Sequence, residues 1–330
     1  PNQVTLGTFL GTFLFCLVAL RSIRDDSAYH LPALTAFVLT VISLSLFLYF
    51  VHHLVRSLQA ENIVESVATL LLDEIENFFP EAPSSDSGED EAERERKAWD
   101  ELEGEISVLS EKAGYLQFID TRQLLELASV HDCRIRVIIR PGQLVLESGC
   151  LFACETSGEM SEKGKKQFLD CFIVGRQRTP EQDIEFEIRQ LVEVGVRALS
   201  PGINDPFTAM NCIDLLTVTL GRIAQRNLPE NVFYGDDNVP RLQLRPTSFR
   251  NLLDTAFLQL RHDGVTRPDV SIRLFEALFL IAQKKRNEEQ LSAVCDFARM
   301  LEQEARDRSR SDFDRECIRQ NFERIMELRE

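Results

Sequence analysis

The chain is 330 residues long, 44% hydrophobic and strongly acidic, with 53 Asp and Glu against 37 Lys and Arg and a formal net charge of -16. That balance argues against nucleic acid as a partner, because phosphate binding draws on clustered Lys and Arg, and it disfavours broad contact with anionic lipid headgroups. The eight cysteines follow no repeating spacing, which argues against a disulfide scaffold and fits reduced thiols in a cytosolic compartment.

Two apolar runs open the chain: no charged side chain occurs from Val4 to Leu20, nor from Leu31 to Val51. A helix needs roughly 20 such residues to cross a hydrocarbon core about 30 Å thick. The second run meets that length. The first falls short by itself, and since the chain begins at Pro1, further apolar sequence is expected upstream. Two transmembrane helices are therefore predicted over 1–57. Within the first, Gly7 and Gly11, and one residue on Thr8 and Thr12, share a four-residue spacing that predicts a helix-helix contact within or between subunits; a chance pair of glycines is the plainer reading. The second carries Thr35, Thr40, Ser43 and Ser45 but no ionisable group before His52 and His53. Ion and proton paths leave charged groups at membrane depth, and neither run has one. His52 and His53 read as interfacial anchors, since adjacent helical residues diverge by about 100° and cannot chelate one ion together.

Arg21 and Arg24 between the runs outnumber Arg56 after the second, which by the positive-inside rule weakly places the loop inside and the large domain outside. The thiols point the other way and are given the greater weight. The large domain is expected in the cytoplasm, behind multi-pass spans in a bacterial inner membrane.

Ile63, Val67, Leu70, Leu71, Ile75 and Phe78 recur at three- and four-residue steps, predicting an amphipathic stalk helix over 58–79. Its stripe needs a cover, from the chain's own domain or from the stalk of a neighbouring copy. Residues 80–105, PEAPSSDSGEDEAERERKAWDELEGE, are too polar to bury enough surface against their ordering entropy and read as an acidic flexible linker. Beyond it lies a small α+β module over 106–175. Strands are expected at Ile106–Leu109, Tyr115–Ile119 and Cys133–Ile139, and a helix at Thr121–His131. Short apolar stretches at Gln143–Glu147 and Leu151–Cys154 flank a Ser-Gly turn.

Residues 176–330 form a mainly helical domain. Thr179, Pro180, Glu181 and Gln182 read as N-cap to N3 of a capping box, followed by the stripe Ile184, Ile188, Leu191, Val192, Gly195 and Leu199. Asp205-Pro206 is a second cap and N1. Further helices are expected at Phe249–Arg261, Val270–Lys285, Glu288–Arg306 and Phe313–Leu328, with a short hairpin between Val232–Tyr234 and Leu242–Leu244. The fold class is thus a membrane protein in which transmembrane helices are followed by an α+β module and a mainly α-helical soluble domain.

The most sharply specified stretch is RALSPGINDPFTA, Arg197 to Ala209, where turn and cap formers sit between two amphipathic helices. It, GRQRTPEQD upstream, GYLQFIDTRQLLELA from Gly114 and the opening PNQVTLGTFLGTFL together resemble the predicted bacterial membrane proteins grouped as domain of unknown function 2254. The resemblance runs along nearly the whole chain. It implies a four-span inner-membrane protein with a cytoplasmic C-terminal domain, the first two spans lying upstream of Pro1, and it implies no activity.

A ligand site is expected at this corner: Arg176 and Arg178 would bind an anion or ion-pair with Asp183 or Asp205, alongside Arg197, Ser200, Gly202 and Asn204 near helix N-termini that favour negative charge. The plainer reading is that these residues build two caps and a tight turn. His131, Cys133, Cys150 and Cys154 offer four potential zinc ligands, but without a C-x-x-C pair they read as core. No metal or cofactor is expected. With no hydrolase, phosphate-loop or dinucleotide motif in the chain, neither is an enzyme. Two functional readings stand. One is an oligomeric channel or transporter-like assembly regulated by its cytoplasmic domain; the other is a non-conducting membrane-anchored scaffold or sensor that binds a cytoplasmic ligand or partner. In both, the partners are the lipid bilayer and further copies of the chain.

Overall fold

The computed structural model describes residues 2–22, 30–57, 69, 71, 72, 75, 76, 79, 106–156, 161–226, 231–245, 247–309 and 311–329. The linker of 80–105 and the first half of the stalk, 58–68, lie outside the described residues, as do the side chains of His52 and His53. The chain forms two compact units, Pro1–Glu65 and Ser66–Glu330.

The first unit is a helical hairpin of α1 (Asn2–Ser22) and α2 (His30–Ser57). Leu31–Val51, with mean hydropathy 2.3, is long and apolar enough to cross a membrane; Leu6–Arg21 is apolar but shorter. Each helix turns a narrow stripe to the other. On α1 it runs through Thr8, Thr12, Phe15 and Ala19, and on α2 through Pro32, Ala36, Leu39, Ser43, Leu46 and Phe50, at the alternating three- and four-residue steps of a coiled-coil seam. At its centre Thr12 and Ser43 share a hydrogen bond of 2.7 Å between their hydroxyls, and Phe9 meets Phe47 edge-on with centroids 5.7 Å apart. Other hydroxyls are satisfied within their own helix: Thr35 donates to the Leu31 carbonyl, Thr40 to Ala36 and Ser45 to Val41. Within this chain Gly7 and Gly11 do not make the contact with α2: both are exposed, and a Cβ added to either meets nothing within 4 Å. One residue is about 100° of rotation, and the Thr12–Ser43 bond turns the threonine side, not the glycine side, toward α2.

The second unit begins with the stalk residues. Those described at 69, 71, 72, 75 and 76 are helical, and Leu71, Ile75 and Phe79 are buried to 0–1% exposure within this chain. The chain's own body therefore covers them, and no neighbouring copy is needed. Arg226 donates to the carbonyls of Ile75 (3.3 Å) and Phe79 (2.9 Å), the former also accepting from the Phe79 amide at 3.0 Å.

Strands β1 (Ile106–Leu109), β2 (Gly114–Ile119), β3 (Cys133–Val137), β4 (Leu144–Val145), β5 (Cys150–Thr156), β6 (Phe172–Gly175), β7 (Val232–Tyr234) and β8 (Pro240–Gln243) make two sheets, ordered β1-β5-β3-β8-β7 and β4-β2-β6. All pairings are antiparallel except β3 with β8, where Ile135 lies opposite Leu242. Helices α3 (Thr121–Val130) and α4 (Glu162–Leu169) contribute Leu124, Ala128 and Phe168 to a core shared with Leu116, Ile135, Phe152 and Cys171. The predicted hairpin of 232–244 is present, but β8 carries it into the sheet of the 106–175 module. That module and the helical region accordingly belong to one unit.

The helical region comprises α5 (Ile184–Leu199), α6 (Pro206–Ala224), α7 (Phe249–Gly264), α8 (Pro268–Ala282), α9 (Glu288–Arg308) and α10 (Asp312–Met326). The predicted α5 stripe is its buried face. Gly195 lets α6 and α7 approach, since a Cβ there would lie 2.7 Å from Leu260 Cδ2 and 3.3 Å from Cys212 Cβ. The capping box does not form. Asp183 caps α5 instead, accepting from the Phe186 amide at 3.1 Å, because Gln182 is committed to β2, bonding both the amide and the carbonyl of Ile119.

Candidate functional site

The corner at Ser200–Asp205 is built from its own backbone. Ser200 donates its hydroxyl to the Arg197 carbonyl at 2.7 Å, Asn204 N–H reaches the Ser200 carbonyl and Asp205 N–H reaches that of Ala198. Asn204 takes φ 54°, a left-handed conformation that Asn tolerates better than most residues, and Arg267 donates to its side chain. Asp205 caps α6, accepting from the Thr208 amide (3.2 Å) and hydroxyl (2.6 Å). Arg197 pairs with Glu193 of its own helix on the surface, and Gly202 is exposed with nothing near it.

Arg178 makes a two-nitrogen contact with Asp183 Oδ2, at 2.8 Å from Nε and 2.5 Å from Nη2. Burial pushes the Asp183 carboxyl above its ordinary value, with Arg178 pulling the other way. Desolvation thus outweighs the attraction, which is the mark of a buried structural pair. The turn at Gly142 lies directly upon it: Gly142 has φ 82°, and a Cβ there would fall 1.9 Å from Asp183 Oδ2. Arg176 is exposed and makes no ion pair among the described residues. Asp183 and Ser200 cap opposite ends of the 16-residue α5, about 24 Å apart at 1.5 Å per residue. The expected site residues therefore fall into two groups. Arg178 pairs with Asp183 at one end, while Arg197, Ser200, Gly202, Asn204 and Asp205 gather at the other.

Beside the first group lies a cleft of about 230 Å³. Ile119, Ile139 and Ile184 line it with Phe79, Phe233 and Leu244, and Arg140 and Arg245 bring the charge. Arg140 is held in place, its Nη1 3.2 Å from both Thr247 Oγ1 and Glu185 Oε1. Arg245 is exposed and donates to the Ile138 carbonyl at 3.3 Å. An apolar concavity with a few fixed polar groups is the usual form of a small-molecule site. Among the described residues this cleft has that form.

With the geometry in place, comparison with known proteins places the chain. The family model described as Predicted membrane protein (DUF2254) matches residues 1–279. The chain belongs to this family. An uncharacterised protein of Mycobacterium bovis and one of Mycobacterium tuberculosis are each 29% identical to it over 292 residues, covering 86% of the chain and 55% of the relative. The chain thus spans about half the length of the curated relatives it matches. No solved structure matches.

Against this family background, the thiols take an ordinary place. His131 packs on the Phe168 ring, centroids 5.5 Å apart, Cys150 donates to the Phe152 carbonyl, and Cys133 and Cys154 are buried. Among the described residues no three His, Cys, Asp or Glu side chains gather as a metal site. The cleft went unread in the sequence because its walls come from segments scattered between residues 79 and 247, each with its own local explanation. The one local signal is Arg140, a charge at the end of an alternating strand, immediately before the Pro141-Gly142 turn.

Proposed function

We propose that this protein is a membrane-anchored ligand sensor. The α1–α2 hairpin fixes it in the bacterial inner membrane, the acidic body lies in the cytoplasm, and a small molecule binds in the cleft. The observation that carries this reading is Phe79. Phe79 forms part of the cleft wall while its carbonyl is clamped by Arg226, and in sequence it stands between α2 and the rest of the body. A ligand touching Phe79 therefore changes the stability of the segment that leads to the membrane. Ligands shift an equilibrium only through differential contact with its states, and Phe79 supplies that contact.

The hairpin supports an anchor over a conducting path. The hydroxyls of Thr12, Thr35, Thr40, Ser43 and Ser45 are used within the pair of helices, and neither apolar run holds a charge. The test is a thermal-shift screen of the full chain in nanodiscs with small organic acids, bases and neutral compounds, followed by hydrogen exchange. A compound that stabilises the body is expected to slow exchange of peptides covering 69–79. Arg226→Gln is expected to weaken that effect while leaving binding within about twofold. Stabilising compounds that leave 69–79 unchanged would contradict the sensor.

A further inference from the structure

Resting on the cleft as the ligand site, we infer that its ligand is a small amphipathic anion: an apolar ring or short chain bearing one carboxylate or phosphate. In a chain with 53 acidic residues, the described residues of the cleft lining include two arginines and neither Asp nor Glu. Most described arginines elsewhere face a carboxylate, as at Arg178–Asp183, Arg241–Asp132 and Arg261–Glu304. Arg245 meets only a backbone carbonyl, and among the described residues no carboxylate pairs with it. Its guanidinium presents planar donors suited to a carboxylate or phosphate.

Arg140 plays a different part. Glu185 and Thr247 fix its guanidinium in the wall, and because the Glu185 carboxylate offsets its charge, Arg140 contributes fixed N–H donors that need not reorganise when a ligand enters, leaving Arg245 as the unpaired cation of the described lining. The rest of the lining sets the body of the ligand. Ile119, Ile139, Ile184, Phe79, Phe233 and Leu244 offer an apolar floor that a bare inorganic ion leaves unused. An apolar cavity of about 150 Å³ holds a benzene molecule; at about 230 Å³ this cleft takes a ring together with its head group. Organic cations are disfavoured by the unpaired Arg245 guanidinium.

Titration calorimetry on the full chain in nanodiscs of neutral phosphatidylcholine tests this directly, with benzoate, hexanoate and phenyl phosphate as probes. Benzyl alcohol and inorganic phosphate serve as controls, each lacking one half of the ligand. The organic anions are expected to bind at least tenfold more tightly than either control. Arg245→Gln is expected to weaken them about tenfold and to leave benzyl alcohol unchanged, with the circular dichroism and Tm of the variant as in the parent because Arg245 is exposed. Tightest binding by phenyl phosphate would identify a phosphate head, and by benzoate or hexanoate a carboxylate. Equal binding of benzyl alcohol, full affinity in Arg245→Gln, or no binding of any organic anion at about 10 mM overturns the inference. Hydrogen exchange on the same samples separates it from the sensor reading. An anion that binds without slowing exchange in 69–79 sinks the sensor and leaves the ligand class standing, whereas a neutral compound that binds and slows it does the reverse.

Discussion

Asp205 closes the most tightly specified corner of the chain by accepting from both the amide and the hydroxyl of Thr208, and these bonds hold its carboxyl below the usual carboxylate range. A carboxyl whose native pKa lies below its unfolded value of about 3.9 binds fewer protons in the folded state. Its contribution is complete above that unfolded value and is lost as pH falls through the lower native one. Asp205→Ala is accordingly expected to cost about 1 kcal/mol at pH 7, the usual loss for an N-cap, and progressively less below about pH 4. Asp205→Asn, which keeps an acceptor, costs less than alanine at neutral pH. Denaturant unfolding of the full chain in detergent across pH 7 to 3 measures this; an undiminished loss at pH 3 would refute the assignment. Asp183, the other cap, behaves oppositely because burial raises it, so the two carboxylates that looked equivalent in the sequence differ in what surrounds them. Asp205-Pro206 was legible because its capping partner is local. The Arg178–Asp183 pair was legible as a possibility, but the Gly142 turn that seals it comes from a distant segment.

Among the elements, the hairpin makes the sharpest prediction. A hydrogen bond of 2.7 Å between Thr12 and Ser43 brings their Cβ atoms within reach of a disulfide. With Cys16 replaced by Ser, Thr12→Cys/Ser43→Cys is expected to cross-link within one chain under mild oxidation. Gly11→Cys/Ser43→Cys, with residue 11 turned away from α2, is expected to cross-link several-fold less. Comparable yields on gel analysis would place the seam elsewhere. The same contrast explains which elements were readable. Helices α5 to α10 announce themselves through apolar stripes and caps that act over one or two turns. The glycine pair in α1 has the right spacing for a contact, yet spacing fixes only a face, and the hydroxyl partner on α2 decides which face is used. The capping box failed for a similar reason: Gln182 found backbone partners on β2, which no window around α5 contains.

Across the whole molecule, what escaped the sequence is what depends on distant pairing. The parallel contact of β8 with β3 joins the strands of 232–243 to the module of 106–175, and a three- or four-residue strand carries no mark of the neighbour it will choose. The strand β6 and the helix α4 are only 4 and 8 residues long, too short to show a clear period. The cleft, assembled from the ends of several such elements, is the product of that topology, and the proposed action of a ligand on Phe79 rests on it. The proposed function requires that the hairpin anchor the chain in lipid. The hairpin exposes large apolar side chains on most of its surface, including Leu10, Phe13, Val18, Leu34, Phe37 and Leu48, far more than a water-borne hairpin tolerates. The direct measurement is the distribution of the full chain, expressed in a bacterial cell, between membrane pellet and supernatant after washing at alkaline pH in carbonate. Retention of nearly all the protein in the pellet, with release only by detergent, is the predicted result; recovery of most of it in the supernatant as a monodisperse species would contradict the account.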